Sequence, residues 1–462
     1  MRAGRWLAPD LALVAAAVTC FYCLFLSQGY QNLFRDSDSG WHILNGESIL
    51  ASGNLPRTDS FSFSKPGEPW FAWEWGADVV VGALHRSGGL AAVAGFYGVL
   101  IAAGVWLWFR LHWAVKGNFL VACAMAPLLL TTCSLHWMAR PHVISWLFLL
   151  AAVWYAETRR RSFVWVAIFS AVWANVHGSF FLGPLILLIY GRLGAATIAA
   201  IAALANPYGW NLYRHVFHYL TDSDLLARIG EFQSFDFHTP GSWQIIAALI
   251  LGIAGGTLAL TQKRFNRFVL TLLISAMALR SARALPLVAL LLLPLANAEI
   301  SQQLLPRRIR EYGDSLRVLD SRLGGYIWMP VAIIIAFALL RVVPVGFPPD
   351  QFPVAAYSHI PLDSRLFASD KYGGYLIFRS NAQRKVFFDG RSDFYGTEFL
   401  KQYGRLVQVR PGWREYWDSW HFTHALLPND ASLIPALTSA GWRIIHRDET
   451  ATLLTNISTY PH

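Results

Sequence analysis

Two stretches, Leu147-Phe-Leu-Leu-Ala-Ala-Val-Trp-Tyr155 and Leu287-Val-Ala-Leu-Leu-Leu-Leu-Pro-Leu295, contain no charged residue at all. A helix that crosses a bilayer needs about 20 mostly apolar residues, fewer where neighbours shield it. Stretches of this kind recur at 8–28, 88–109, 118–136, 141–157, 163–176, 179–191, 193–206, 243–261, 267–280, 284–298 and 325–343. The whole composition agrees. Of 462 residues, 55% are hydrophobic and only 14% charged, where ordinary soluble chains carry about 25% charged residues. Mean hydropathy is +0.38. A disordered chain, a secreted disulfide scaffold and an ordinary cytosolic enzyme are thereby excluded. The first stretch is too long and uninterrupted for a signal peptide, and no small-residue cleavage site follows it. The four cysteines, Cys20, Cys23, Cys123 and Cys133, all lie in apolar runs and read as packing residues.

Sidedness follows from the basic residues. With Arg2 and Arg5 placed inside and the stretches alternating, Arg110 and Lys116, Arg159-Arg160-Arg161, Arg192, Lys263 with Arg264 and Arg267, and the run Arg307 to Arg322 all fall on the inner side. Merging 163–191 into one span would send Lys263, Arg264 and Arg267 outside, so two short spans are kept. About 11 spans then leave two outer regions, a first loop at 29–87 and a tail at 344–462. The domain division expected is 1–343 for the transmembrane part, including that loop, and 344–462 for an external α/β domain. In the tail, strand-like runs (365–369, 385–388, 423–427, 443–447) alternate with helix-like ones (397–409, 431–440). The formal charge of +10 is carried by the inner segments, about 16 basic against six acidic residues, and is an orientation signal that says nothing of nucleic acid.

Polar groups near lipid are costly and need a reason. The mixture of Asp, Glu, His, Asn and Arg gathers at the outer ends of the stretches. Asp36 and Asp38 follow the first one directly, and an Asp-x-Asp pair in extended chain projects both carboxylates to one side. Such carboxylates can take a proton from a hydroxyl or help hold a divalent cation. Equally, Asp38 or Ser39 suits the N-cap of a helix over about 41–51. His42, one turn on, reads as a further metal ligand or as an interfacial hydrogen-bond donor. Glu231 and Asp236 are candidates for an opposing carboxylate or for a solvated loop face. Arg140, Arg280 and Arg283 suit the oxygens of a phosphate or pyrophosphate, or simply snorkel. His142 and His177 read as substrate-binding or as structural histidines. Glu74, between Trp73 and Trp75, reads as part of an interfacial belt, and Asn206-Pro-Tyr-Gly as a turn.

The pattern D-S-D-S-G-W-H (36–42), G-N-L-P-R-T-D-S-F-S-F (53–63) and G-E-P-W-F-A-W-E-W (67–75) is similar to the first external loop of bacterial GT-C-like membrane glycosyltransferases and their uncharacterised relatives. R-P-H (140–142), W-A-N-V-H-G-S-F (173–180), N-P-Y-G-W (206–210), Y-G-G-Y-L (372–376) and V-F-F-D-G-R-S-D-F-Y (386–395) also resemble that group. The resemblance implies an α-helical polytopic membrane protein of GT-C-like fold with a C-terminal external α/β domain. It implies an inverting transfer of sugar from a polyprenyl-phosphate carrier to a glycan, lipid or protein acceptor at the outer face of a bacterial inner membrane. The N-terminus would be cytoplasmic and the tail periplasmic. Asp36 or Asp38 occupies the place of the essential acidic residue, and Glu231 and Asp236 lie nearest a second acidic motif. Some members use a divalent metal, here Mg2+ or Mn2+ with His42, Asp36 and Asp38 as ligands. The outer arginines would hold the carrier phosphate, and Asp389, Arg391 and Asp393 would face the acceptor, although Asp389-Gly-Arg equally makes a strand-end turn with a salt bridge. Two other readings stand beside it. A transporter or flippase would show repeat symmetry and ionisable residues near the midplane. A non-catalytic envelope-assembly component would need none of the outer motifs.

Overall fold

Backbone amides and carbonyls in hydrocarbon have no water to bond, and a helix satisfies them within one segment. Each of the eleven apolar stretches is helical in the computed structural model, which describes residues 4–26, 28–158 and 162–456. Arg2 and Arg159-Arg160-Arg161, used above for sidedness, lie outside the described residues. Among the described residues, three helices are long and apolar enough to cross a bilayer, Trp75–Ala114, Ser242–Thr261 and Ala282–Gln303, and seven shorter apolar helices accompany them. The chain is thus a membrane protein. The two short spans expected over 163–191 are Phe163–Ala174 and a 3-10 turn, Gly178–Phe181, that runs into Leu182–Ile189. Twelve residues at 1.5 Å each reach about 18 Å, against about 30 Å of hydrocarbon. Neither crosses the full layer alone, so about 11 stretches do not make 11 full-width helices.

The chain divides into two compact units; one cut, at 344/345, lies a residue from the expected 343/344, and the difference is where the first loop belongs. One unit contains Met1–Tyr30, Ala91–His218 and Gly230–Pro344; the other contains Gln31–Leu90, Tyr219–Ile229 and Val345–His462. The first loop, expected with the membrane helices, therefore folds with the tail. Trp75–Ala114 breaks at Gly88 and Gly89, next to this division, and the left-handed φ of 63° at Gly89 suits glycine.

In the helical unit, the composite helix Ala282–Gln303 is buried almost throughout. It carries a π turn at Val288–Leu292, where the carbonyl of Ala289 accepts the indole N–H of Trp108 at 2.9 Å. Gly255 lies directly against Ala296, which lets Ser242–Thr261 pack backbone-close on the same element. Arg267 is buried, although the sequence reading treats it as a loop charge. Its guanidinium bonds Glu157 at 2.6 and 2.9 Å and Glu299 at 2.6 Å, while Arg264 reaches Glu299 at 2.7 Å and Tyr190 donates to Glu157 at 2.7 Å.

The second unit is built on a four-stranded sheet, β1 (Leu366–Ala368), β2 (His424–Pro428), β3 (Trp442–Arg447) and β4 (Ala451–Asn456), ordered β1-β2-β4-β3. β1 and β2 are parallel, and β4 runs antiparallel to both β2 and β3. Three of the expected strands are present, and β4 has no counterpart in the sequence reading. The run 385–388 is not a strand of this sheet. Val386 bridges Ser62 of the first loop instead, with Phe63 N donating to Val386 O and Val386 N to Phe61 O, both at 3.0 Å. Helices Ser392–Val407 and Leu433–Ser439 correspond to the two expected; Asp370–Arg379 and Trp413–Ser419 are additional. Phe63 and Leu225 join the aromatic core around Phe367, Phe387 and Trp417.

The helix Asp38–Ser52 lies against two others at backbone distance. A Cβ at Gly40 would strike the carbonyl of Gly374, one at Gly374 the carbonyl of Ser37, and one at Gly46 the carbonyl of Asp78. No side-chain rotation can relieve such a clash. Gly374→Val should therefore lower the thermal midpoint of the detergent-solubilised protein by several degrees, an overpacking cost of at least about 1–3 kcal/mol. Gly404→Ala, where a Cβ meets nothing within a helix interior, should leave the midpoint unchanged or slightly raised.

Candidate functional site

The segment 36–42 enters its helix through a turn made by its own acids. Asp36 Oδ1 accepts the backbone N–H of Asp38 at 2.9 Å, and Asp38 is the first helical residue. The cap-like role thus falls to Asp36 rather than to Asp38 or Ser39. Asp36 is half-buried, while Asp38 is buried, its carboxylate lying against the backbone of Gly390. Burial pulls the neighbouring Arg35 guanidinium below its ordinary pKa, and Asp36 works in the opposite direction.

One turn further on, His42 Nδ1 lies 2.6 Å from Asp78 Oδ1, and Asn45 donates to Asp78 Oδ2 at 2.6 Å. The short contact ties the imidazole ring to the Asp78 carboxyl through Nδ1. Nε2 faces Glu74 at 3.7 Å, and the ring stacks on Trp41 with centroids 3.6 Å apart. His42 is therefore engaged with Asp78 and Glu74. Among the described residues no group of three or more His, Cys, Asp or Glu has metal-holding geometry. Asp36, Asp38 and His42 are thus not gathered into such a group.

Asp389, Arg391 and the loop residue Asp59 form a buried ion triad. Arg391 bonds Asp389 at 2.7 and 2.8 Å and Asp59 at 2.8 Å; Tyr395 donates to Asp389 at 3.0 Å, and Asp59 also accepts from Ser62. The guanidinium lies over Trp70 at 4.7 Å and over Phe394 at 4.8 Å. Burial opposes its charge, but Asp389 first and then Tyr395 and Asp59 hold its proton more firmly than in water. Asp389 and Arg391 are almost inaccessible. Of the two roles considered for Asp389-Gly-Arg, the geometry is that of the salt-bridged turn, and it pins the first loop to the tail.

A separate cluster lies in the helical unit. Arg140 bonds Glu231 at 3.1 Å, Arg283 reaches the other carboxylate oxygen at 3.4 Å and lies over Phe232. Ser281 donates to the carbonyl of Glu231 at 3.0 Å, and Ala282 N to that of Gln233 at 2.8 Å, so two loops are sewn together. His136 bonds Ala282 O at 3.2 Å, and His142 bonds His136 O at 2.8 Å. Burial alone would push the Glu231 carboxyl up, but Arg283 and Arg140, with His136 and His142 behind them, hold it well below the ordinary carboxylate range. Asp236, exposed, closes a turn by accepting from His238 N at 2.9 Å. His177 caps the turn Gly178–Phe181, accepting from Ser179 N at 3.2 Å, and Arg280 is exposed at the end of its helix. The structure thus joins Arg140, Arg283, Glu231 and, through His136, His142, whereas Asp236 and His177 bond within their own turns.

Asp78, Asn45 and Asp59 were not singled out from sequence. Asp78 stands four residues after Glu74 and Asn45 three after His42, so each pair shares a helical face. That spacing was the available signal.

The fold is similar to that of the oligosaccharyltransferase AglB from the archaeon Archaeoglobus fulgidus. Against its complex with an inhibitory peptide and a dolichol-phosphate, the TM-score is 0.56 at 11% identity, over 90% of this chain and 69% of that one. Against the same organism's oligosaccharyltransferase tethered to an acceptor peptide, it is 0.55 at 12% identity, over 90% and 68%. A complex of that enzyme with Zn and sulfate gives 0.50 at 11% identity, over the same shares. No family model matches the chain, and no curated sequence matches it significantly. At this identity the likeness concerns the fold, and it fits the GT-C-like class expected from the motifs.

Two outcomes follow. Arg391→Ala leaves Asp389 and Asp59 buried without their cation and should cost about 3–5 kcal/mol, read as a lowered thermal midpoint that Arg391→Lys does not restore. Glu231 has a depressed pKa in the folded chain. Its contribution to stability is complete above the unfolded value, near 4.3, and is lost as pH falls through and below it. Acidification from pH 6 towards pH 3 should thus lower the midpoint of the wild type more than that of Glu231→Gln.

Proposed function

We propose that the protein is a membrane glycosyltransferase that moves a sugar or glycan from a polyprenyl-phosphate-linked donor to an acceptor at the external membrane face. The observation that carries this reading is an oligosaccharyltransferase-like fold over nine-tenths of the chain in which Asp36 and Asp38 stand at the entry to a buried helix fixed by backbone contact. The fold neighbours bind dolichol-phosphate in one structure and an acceptor peptide in another, which supports a lipid-linked donor and a separate acceptor.

The chemistry assigns one role to each group. The acceptor's O–H or N–H attacks the anomeric carbon from the side opposite the carrier, so configuration inverts. A bond forms from the acceptor atom to that carbon as the bond from carbon to carrier phosphate oxygen breaks. The acceptor's proton passes to Asp36 or Asp38, and the bonding pair leaves with the lipid phosphate. Asp36 is the better placed of the two to exchange protons, because Asp38 is buried against Gly390. Within the helical unit taken by itself, Arg140 and Arg283, oriented by Glu231, suit phosphate oxygens through charge-assisted hydrogen bonds. Arg280, His177 and Asp236 remain candidates for donor or acceptor contact from their exposed positions. In this reading the chain sits in a bacterial inner membrane with its sheet-containing unit on the external side.

The test uses the full chain in proteoliposomes with a labelled polyprenyl-phosphate sugar and an envelope extract as acceptor source. Label should leave the lipid phase with the wild type. Asp36→Asn should reduce the rate by roughly 10²-fold or more, with the thermal midpoint retained. Arg140→Gln and Arg283→Gln should raise KM for the donor more than they lower kcat. Wild-type transfer rates in both Asp36→Asn and Asp38→Asn would overturn the reading.

A further inference from the structure

The N-terminal segment of the helical unit is stitched to the corner that precedes its last apolar helix. Gly324 N donates to Ala8 O at 3.0 Å, Gly325 N to Arg5 O at 2.8 Å, and the indole of Trp328 to Leu7 O at 2.7 Å. Asp320 accepts the N–H of Leu11 at 2.7 Å and the indole N–H of Trp113 at 2.9 Å, and Arg110 pairs with Asp10. These bonds bring three apolar helices to one level: the start of Leu11–Phe25, the end of Trp75–Ala114 and the start of Trp328–Leu340. A level at which apolar helices begin and end together marks a boundary of the hydrocarbon layer.

At that level runs the amphipathic helix Arg307–Asp320, a segment that the sequence reading treats as a basic loop. It is anchored by Gly313, which packs on the side-chain amide of Asn118, and by the buried Asp320. Ile309, Tyr312 and Leu319 fall within about an 80° arc at 100° per residue, and they are 44%, 59% and 56% exposed. Arg308 borders that arc and is exposed, as is Arg322 just beyond the helix. Trp6, edge-on to Tyr326 at 5.7 Å, and Trp328 are exposed in the same neighbourhood. Exposed tryptophan, tyrosine and leucine interleaved with arginine suit neither bulk water nor hydrocarbon. They suit the headgroup layer, where aromatic rings sit at the boundary and guanidinium meets phosphate.

We propose that the Gly4–Leu7 segment, the helix Arg307–Asp320 and the corner that follows form an interfacial collar that selects anionic phospholipid headgroups. The proposal stands apart from the glycosyl-transfer reading, since it requires only the bilayer boundary. It commits to a lipid in the membrane, not to free phosphate. Charge supports this choice: Asp320 is turned inward, Glu311 and Asp314 pair with Arg307 and Arg317, and neither Arg308 nor Arg322 carries an ion pair among the described residues.

The test is native mass spectrometry of the full chain released from nanodiscs of equal phosphatidylglycerol and phosphatidylcholine with matched acyl chains. The wild type should retain phosphatidylglycerol preferentially, and Arg308→Gln with Arg322→Gln should reduce that preference by about five-fold per arginine removed. Arg447→Gln, on the sheet-containing unit, should leave it unchanged. If the double variant does not fold, Arg308→Gln alone carries the comparison, because that side chain is exposed. Equal retention of the two lipids by the wild type, an unchanged preference in the folded variant, or full displacement of the lipid by millimolar inorganic phosphate would each overturn the proposal.

Discussion

The geometry of the sheet-containing unit depends on one helix gripped by backbone on two sides. Gly40 meets Gly374 on one face of Asp38–Ser52, and Gly46 meets Asp78 and Gly82 on the other. Interiors held by side chains can repack when a methyl group is added, because rotamers adjust. Two backbones in contact have no such freedom. The position of Asp36 and Asp38 at the entry of this helix, and of His42 and Asn45 along it, is therefore as rigid as the backbone. The same approach brings Asp78 to within 2.6 Å of both His42 and Asn45. Side chains so held lose little to conformational disorder.

This constraint also explains what was legible in the sequence. Apolar runs announce helices because the need to satisfy backbone hydrogen bonds in hydrocarbon acts within one segment, and all eleven stretches are helical. Motifs such as D-S-D-S-G-W-H, Y-G-G-Y-L and F-D-G-R drew attention as chemistry, yet their glycines are contact points. Gly40 packs on Gly374, Gly373 on the backbone of Phe388 and Asp389, and Gly390 on the carboxylate of Asp38. Each contact joins segments hundreds of residues apart or across a turn, and spacing along the chain carries no information about that. Asp59 takes its role from the ion pair with Arg391 that joins loop and tail. The first loop falls in the unit of the tail for the same reason, since its partners there lie more than 300 residues away.

Net charge along the chain is a coarser signal than the ion pairs the fold makes. Counting Lys and Arg treats every cation as solvated. Arg267 is buried between Glu157 and Glu299, which also hold Arg264 and Tyr190, and Arg140 and Arg283 share Glu231. A buried pair is weak evidence for stability, because desolvation offsets much of the attraction. Removing one partner is nevertheless costly, so such pairs fix which helices stay together. In the helical unit the two clusters do this at different helix ends: Glu157 and Arg267 stand at the end of one helix and the start of another, Arg140 just before His142–Thr158 and Arg283 in the first turn of Ala282–Gln303.

Once these internal pairs are set aside, the sign of the remaining charge acquires a location. Arg110 is taken by Asp10, Arg307 by Glu311 and Arg317 by Asp314. What is left near the N-terminal corner includes Arg5, Arg308 and Arg322, all exposed and close in the chain to Trp6, Tyr312 and Tyr326. A positive excess that is not consumed by folding must be balanced by the surroundings, and beside apolar helix ends the available counter-charge is lipid phosphate. Paired charges leave the net charge unchanged, and they decide which arginines stay exposed, here beside the aromatic rings of Trp6, Tyr312 and Tyr326.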